Sequence, residues 1–96
     1  MITIKLTEKQ YQELQYQSEL WVDDTVGTVG DELNLEFGIN TVSLPSDKLD
    51  LLIFRIELQK DAVKDFLGEY DNRGAIGYYS MLNGLYKKLL KEKGEN

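Results

Sequence analysis

The sequence predicts an α+β fold: a short N-terminal strand, a helix, a small β-hairpin, and then two amphipathic helices packed on the sheet. Two stretches of alternating apolar and polar residues predict the strands, and apolar residues at helical spacing fill the second half of the chain. An all-α fold is the alternative. Because the chain has 96 residues, we expect a single globular domain over 1–96, with 93–96 frayed.

The first two elements are a strand and a helix. Apolar and polar residues alternate over 2–6, which predicts a short strand with one buried face. Thr7 and Gln10 have the spacing of a capping box, so a helix is expected to begin between them. Its apolar stripe continues to Trp21, and we therefore predict a helix over 8–21.

Residues 23–30 are the least regular part of the first half. Gly27 and Gly30 both disfavour a stable helix, so we predict a loop there. The spacing of the valines in and around this segment leaves a helix as the alternative.

A hairpin is predicted next. Apolar and polar residues alternate over 33–39, which is typical of a strand, and the alternation resumes over 42–44. The turn would occupy 38–41. A short helix over 31–37, closed by Gly38, competes with the first of these strands.

Helical spacing dominates the second half of the chain. Ser46 is a good N-cap residue for a long amphipathic helix that would end at about residue 67, where Gly68 can close it. A buried strand over 51–58 is the alternative, but the length and period of the apolar pattern favour the helix.

A final helix follows a polar linker over 69–74. Apolar residues repeat at helical spacing over 75–90, and the lysines in the last turns complement the helix dipole. Asn83 and Gly84 form a hairpin signal that opposes this helix. The flanking periodicity is long enough to outweigh a cost of about 1 kcal/mol for one internal glycine.

The absence of cysteine and histidine narrows the chemistry. It excludes disulfides, thiolate nucleophiles, the usual structural zinc sites and the commonest general base near neutral pH. We expect no cofactor, no metal site and no enzymatic activity. No secretory signal and no apolar run of about 20 residues is present, which indicates a cytoplasmic protein without membrane contact.

Two local patterns contain residue types that could bind a ligand but lack the spacing that a known binding motif requires. Acidic pairs at 23–24 and 31–32 surround a glycine-containing loop, yet they do not follow the calcium-binding pattern of an EF-hand. Gly74 and Gly77 lie at an expected helix start, but they do not form a phosphate-binding loop. Solvated carboxylates and simple turn geometry explain both.

The net charge of −6 is unevenly distributed. No lysine or arginine occurs over 10–47, whereas lysines cluster near the C-terminus. This acidity would repel a nucleic-acid backbone and attract a basic protein surface. Although tyrosines accompany the C-terminal lysines, we expect no direct nucleic-acid binding, since dipole compensation accounts for that cluster.

The sequence therefore predicts a non-enzymatic, acidic, macromolecule-binding protein whose partner is a protein with a basic surface. An inhibitor or a DNA-mimic-like blocker is the sharper hypothesis, by analogy of size and charge with small acidic proteins of phages and mobile elements. Acidity that serves only solubility is the competing interpretation. The candidate partner-binding residues are Glu13, Glu19, Trp21, Asp23, Asp24, Asp31, Glu32 and Glu36.

Three apolar residues suggest a second surface. Leu51, Phe54 and Leu58 lie off the main apolar stripe of the long predicted helix. They would pack within the monomer or form a homodimer contact. A small homo-oligomeric protein with a structural or regulatory role is thus the alternative function, and an enzyme is the third.

Overall fold

The computed structural model describes residues 1–22, 27–69 and 73–94 and has an α+β fold. In chain order the described elements are β1 (Ile2–Lys5), α1 (Glu8–Ser18), α2 (Val29–Leu33), β2 (Glu36–Phe37), β3 (Thr41–Leu44), one 3-10 turn (Ser46–Lys48), α3 (Leu49–Glu69) and α4 (Arg73–Lys93). The chain divides into two compact units, Met1–Asp50 and Leu51–Asn96. That the chain is one domain stays a prediction.

The sheet is antiparallel, with β3 in the centre of the order β1-β3-β2. Val42 of β3 lies opposite Ile4 of β1 on one side and Phe37 of β2 on the other. Ile4 and Val42 are buried, while Thr3 and Ser43 on the opposite face share a hydroxyl hydrogen bond of 2.8 Å. The alternation of apolar and polar residues thus separates a core face from a polar face. The predicted N-terminal strand and hairpin are confirmed.

The hairpin turn depends on two residues with special backbone requirements. The amide of Gly38 donates to the carbonyl of Thr41 at 3.0 Å, and Asn40 has a φ of 53°. A Cβ at Gly38 would lie 2.6 Å from Oγ1 of Thr41, so a larger residue would have to displace that side chain. Asparagine tolerates the left-handed region better than most residues. The turn over 38–41 is as predicted.

The strand predicted over 33–39 is wrong in its first part. Leu33 is the last residue of α2, where it is buried, and only Glu36–Phe37 is extended. The competing helix over 31–37 is also wrong, because Asn34 adopts a left-handed conformation (φ 53°) that ends α2. Leu33 satisfies an alternating pattern and a helical one equally, so periodicity alone did not separate them.

The capping box at the start of α1 is present as predicted. The amide of Gln10 donates to Oγ1 of Thr7 at 3.2 Å, and the amide of Thr7 donates to Oε1 of Gln10 at 3.0 Å. Two amides that the helix leaves unpaired are thereby satisfied, which fixes where α1 begins.

Removing this cap gives a first testable prediction. Thr7→Ala is expected to lower the free energy of unfolding by about 0.5–2 kcal/mol, because the Gln10 amide loses its acceptor. Thr7→Ser keeps the hydroxyl and should stay within a few tenths of a kcal/mol of the wild type. Urea denaturation followed by circular dichroism measures both. Equal midpoints for the two variants would contradict the role of the cap.

The far end of α1 differs from the prediction. The helix ends at Ser18 instead of near residue 21. The side-chain hydroxyl of Ser18 donates to the carbonyl of Gln15 at 2.7 Å. The next segment turns towards α2, where the carbonyl of Leu20 accepts from the amide of Val29 at 2.8 Å. Leu20 and Val29 lie outside α1, so the apolar stripe of the helix did not reveal where it ends.

The described residues of the second half are helical, as predicted, but the boundaries are shifted, and α4 begins at Arg73, inside the linker predicted over 69–74. The prediction that Ser46 caps the long helix is wrong: it lies inside the 3-10 turn, which has no side-chain cap. The predicted closure at Gly68 is also wrong, since α3 continues to Glu69. Neither the strand alternative over 51–58 nor the hairpin alternative at 83–84 occurs.

Side-chain contacts join α3 and α4. Nε2 of Gln59 donates to the hydroxyl of Tyr78 at 3.2 Å. Nζ of Lys60 lies 4.0 Å from the ring centroid of Tyr86 and 6.0 Å from that of Tyr79, so its charge lies over tyrosine rings. Among the described residues, no helix is both long enough and apolar enough to cross a lipid bilayer.

Candidate binding surface around Trp21

The end of α1 and the start of α2 are held together by backbone contacts. Trp21 forms an isolated antiparallel bridge with Thr28, next to the hydrogen bond that links the Leu20 carbonyl to α2. Gly30 lies so close to Ser18 that an added Cβ would be 3.1 Å from its Cβ and carbonyl oxygen. The lack of a side chain at Gly30 therefore permits the close approach of the two helices.

Five exposed side chains surround this junction, and we call them the Trp21 surface: Tyr16, Glu19, Trp21, Asp31 and Glu32. Trp21 is the single tryptophan of the chain, and 72% of its surface is accessible. Tyr16 precedes it in the last turns of α1 and is also exposed. Large aromatic side chains are costly to leave in water, and here two of them are exposed within three residues of Glu19 in the sequence.

Asp31 has a structural task within this surface. Its Oδ2 accepts a hydrogen bond from the amide of Thr28 at 3.3 Å, and its own amide donates to Oγ1 of Thr28 at 3.3 Å. This second capping box starts α2, and the carboxylate lies where the helix dipole favours negative charge. Glu19 and Glu32 are therefore the better positions at which to test charge, because Asp31→Lys would also remove the cap.

Other candidate residues lie elsewhere or outside the described residues. Glu13 is buried, and its Oε1 accepts from Nε2 of Gln17 at 3.4 Å. Glu36 is exposed, and it lies opposite Ser43, on the polar face of the sheet. Asp23 and Asp24 fall outside the described residues. Of the predicted partner-binding residues, Glu19, Trp21, Asp31 and Glu32 lie on the two segments that backbone contacts hold together.

Sequence reasoning missed two features of this region. The first is the Thr28–Asp31 capping box, whose threonine and acid three residues apart were a visible signal for a helix start. The second is the burial of polar residues on α1: Gln10, Glu13 and Gln17 share its buried side with Leu14. Polarity alone places such residues outside, and no signal in the sequence contradicts that placement.

The charge asymmetry follows the division into two units. Residues 1–50 contain ten carboxylates and three lysines, whereas residues 51–96 contain seven carboxylates and eight cations. The whole net negative charge therefore belongs to the unit that carries the Trp21 surface. A local field of this sign attracts cationic groups from a distance of about one Debye length, roughly 8–10 Å at physiological salt.

The acidic residues are not grouped for metal binding where they are described. Within 1–22, 27–69 and 73–94, no three or more carboxylates come together in a way that could hold a metal ion. The described carboxylates therefore lie singly or in pairs, which suits salt-dependent contact with lysine and arginine side chains.

The three apolar residues off the main stripe of α3 are exposed. Leu51, Phe54 and Leu58 have 45%, 57% and 52% of their surface accessible, while Leu52 and Ile56 on the other side of the helix are buried. In the structure, α3 therefore has one buried apolar side and one accessible apolar side.

Comparison with protein-family models, curated proteins and solved structures finds no match to this chain. The exposed side chains and their charges are therefore the basis of a functional proposal.

Proposed function

We propose that this protein is a non-enzymatic binding protein of the cytoplasm, and that its Trp21 surface occupies a basic site on another protein. It would act as an inhibitor or DNA-mimic-like blocker of that site. The observation that carries the proposal is an accessible tryptophan among carboxylates, within a span of 38 residues (10–47) that has no lysine or arginine.

The two residue types at this surface have complementary roles in binding. Tryptophan and tyrosine are enriched among the residues that contribute most to protein–protein affinity, because they bury a large area with few rotatable bonds. Carboxylates increase the association rate with a basic partner and disfavour acidic ones. Trp21 would thus provide most of the binding energy, whereas Glu19 and Glu32 would increase the association rate and favour basic partners over acidic ones.

The competing interpretation, that acidity only maintains solubility, predicts a different surface. Solubility is served by dispersed charge and few exposed aromatic residues. Here Tyr16 and Trp21 are exposed beside the carboxylates, which solubility does not require.

Charge reversal tests the proposal. The double variant Glu19→Lys/Glu32→Lys should reduce affinity capture of a partner from a lysate of the source cells by about tenfold or more, since each lost ion pair and each new repulsion oppose binding. Capture by the wild type should be strong at about 50 mM salt and weak at about 1 M salt. Quantitative mass spectrometry measures both.

The matched control is Asp47→Lys/Glu92→Lys, which changes the net charge by the same amount at exposed positions that do not belong to the Trp21 surface. It should retain most of the capture. Equal loss in both double variants would mean that only net charge matters, and capture that survives in Glu19→Lys/Glu32→Lys would contradict the proposed surface.

A further inference from the structure

The outer side of α3 has the spacing of a helix-pairing seam. Leu51, Phe54 and Leu58 are separated by three and then four residues, which is the a-d-a spacing of a coiled coil. They lie on the accessible side of the helix over about two turns. Continuation of the same spacing leads to Asp61 and Asp65, both exposed. An apolar seam thus becomes an acidic one along a single helix face.

We infer that this seam binds a basic amphipathic helix of another protein. Leucine, isoleucine or phenylalanine on that helix would pack against Phe54 and its apolar neighbours, and lysine or arginine would face Asp61 and Asp65. The flanking positions carry Glu57 and Lys64, both exposed, which cancel each other, so the negative charge of the seam comes from Asp61 and Asp65. Charge complementarity therefore selects a cationic helix among apolar partners.

The charges on α3 disfavour a second copy of this chain as the occupant. In a parallel dimer in register, Asp61 and Asp65 would each face the same aspartate of the second copy across the seam. In an antiparallel two-fold dimer the same edge of each helix meets its copy, and that edge carries Glu57 and Lys64, so it neither favours nor opposes pairing. Each chain also brings a net charge of −6. A basic partner avoids the repulsion between the aspartates and the repulsion between the two net charges.

This inference goes beyond the proposed role of the Trp21 surface, because its residues belong to the other compact unit. The two can fail independently: substitutions on α3 leave Glu19, Trp21 and Glu32 unchanged, and substitutions at those three leave the seam unchanged.

Synthetic peptides test the inference directly. The probe is a fluorescently labelled helical peptide of about three heptads, with leucine at the seam positions that meet Leu51, Phe54 and Leu58 and lysine at those that meet Asp61 and Asp65. Two controls are the same peptide with glutamate in place of lysine, and a peptide of the same composition with its leucines scrambled. Fluorescence anisotropy measures binding to the whole chain. We expect only the patterned leucine–lysine peptide to bind, and more weakly as salt increases.

Variants of the seam assign the binding to α3. Phe54→Ser/Leu58→Ser should lower the affinity for the peptide at least tenfold. The circular dichroism spectrum should stay unchanged, because both side chains are accessible and do not hold the fold together. Asp61→Asn/Asp65→Asn should lower the affinity for the peptide several-fold at low salt and only slightly at high salt. Glu19→Lys/Glu32→Lys should retain at least half of the wild-type affinity.

Three results would overturn the inference. The first is equal binding of the leucine–glutamate or the scrambled peptide. The second is unchanged affinity in Phe54→Ser/Leu58→Ser. The third is a wild-type mass of two chains in light scattering that this double variant returns to one, since the occupant of the seam would then be a second copy.

Discussion

Replacement of Leu52 by alanine is expected to lower the free energy of unfolding by about 2–5 kcal/mol. Leu52 has 1% of its surface accessible and lies on the buried side of α3. Alanine there would remove buried methyl groups and leave a cavity that the surrounding side chains fill only in part. Since a domain of this size has a total stability of about 5–15 kcal/mol, the loss should be evident in urea and thermal denaturation.

The adjacent residue provides a matched control. Leu51 is the same residue type in the same helix, with 45% of its surface accessible, so Leu51→Ala should cost less than about 1 kcal/mol. The comparison removes differences in helix propensity, because both substitutions are leucine to alanine. If the two variants unfold at the same urea concentration, α3 does not have the buried and accessible sides described above.

Val42→Asp should have a still larger effect, with loss of the folded sheet. Val42 is fully buried in the central strand, with Ile4 and Phe37 opposite it in the neighbouring strands. A carboxylate at this position would lose its hydration with no cation in register, and such a change typically costs more than about 4 kcal/mol. Amide hydrogen exchange of β1 and β3 should lose its protection, which two-dimensional NMR measures.

Thr41→Asp is the control for this substitution. Thr41 precedes Val42 in the same strand, but its side chain lies on the polar face, opposite Lys5 in the antiparallel register. The new carboxylate would therefore face a lysine across the strands, which offsets part of the low strand propensity of aspartate. The amides of β1 and β3 should stay protected from hydrogen exchange in this variant. Retention of the protected amides in Val42→Asp would contradict the burial of β3.

The elements that the sequence predicted correctly are those whose start is marked by local chemistry or whose period is long. Thr7 and Gln10 mark the start of α1 because both capping partners lie within four residues. The hairpin turn at 38–41 is marked by glycine and asparagine. The apolar stripes of α3 and α4 lie in helices of 21 residues each, so Gly84 did not obscure the second of them.

The two misplaced elements have different causes. The end of α1 lies next to the hydrogen bond between the Val29 amide and the Leu20 carbonyl, nine residues earlier, about which a local pattern contains no information. Leu33 fits a strand and a helix equally, and the capping box that starts α2 is a local signal that favoured the helix and was overlooked. The boundaries therefore shifted although the fold class was right.

The candidate binding residues were chosen from composition, which does not specify where each side chain lies. The binding hypothesis required carboxylates between residues 10 and 47 to share a surface. The structure shows that Glu19 and Glu32 lie near Trp21, that Glu13 is buried beside Gln17, and that Glu36 belongs to the sheet. Side-chain direction decides between these outcomes, and it follows from helix ends and strand register, which were the least predictable features.

The central claim is that Trp21 is exposed in a negative local field, and collisional quenching of its fluorescence tests this most directly. Because Trp21 is the single tryptophan, the emission reports this surface alone. Caesium ions should quench it more efficiently than iodide, relative to free tryptophan amide, since carboxylates concentrate cations and repel anions. The preference should fall sharply in Glu19→Lys/Glu32→Lys and much less in Asp47→Lys/Glu92→Lys. Iodide quenching as efficient as that of caesium, or poor quenching by both, would contradict the claim.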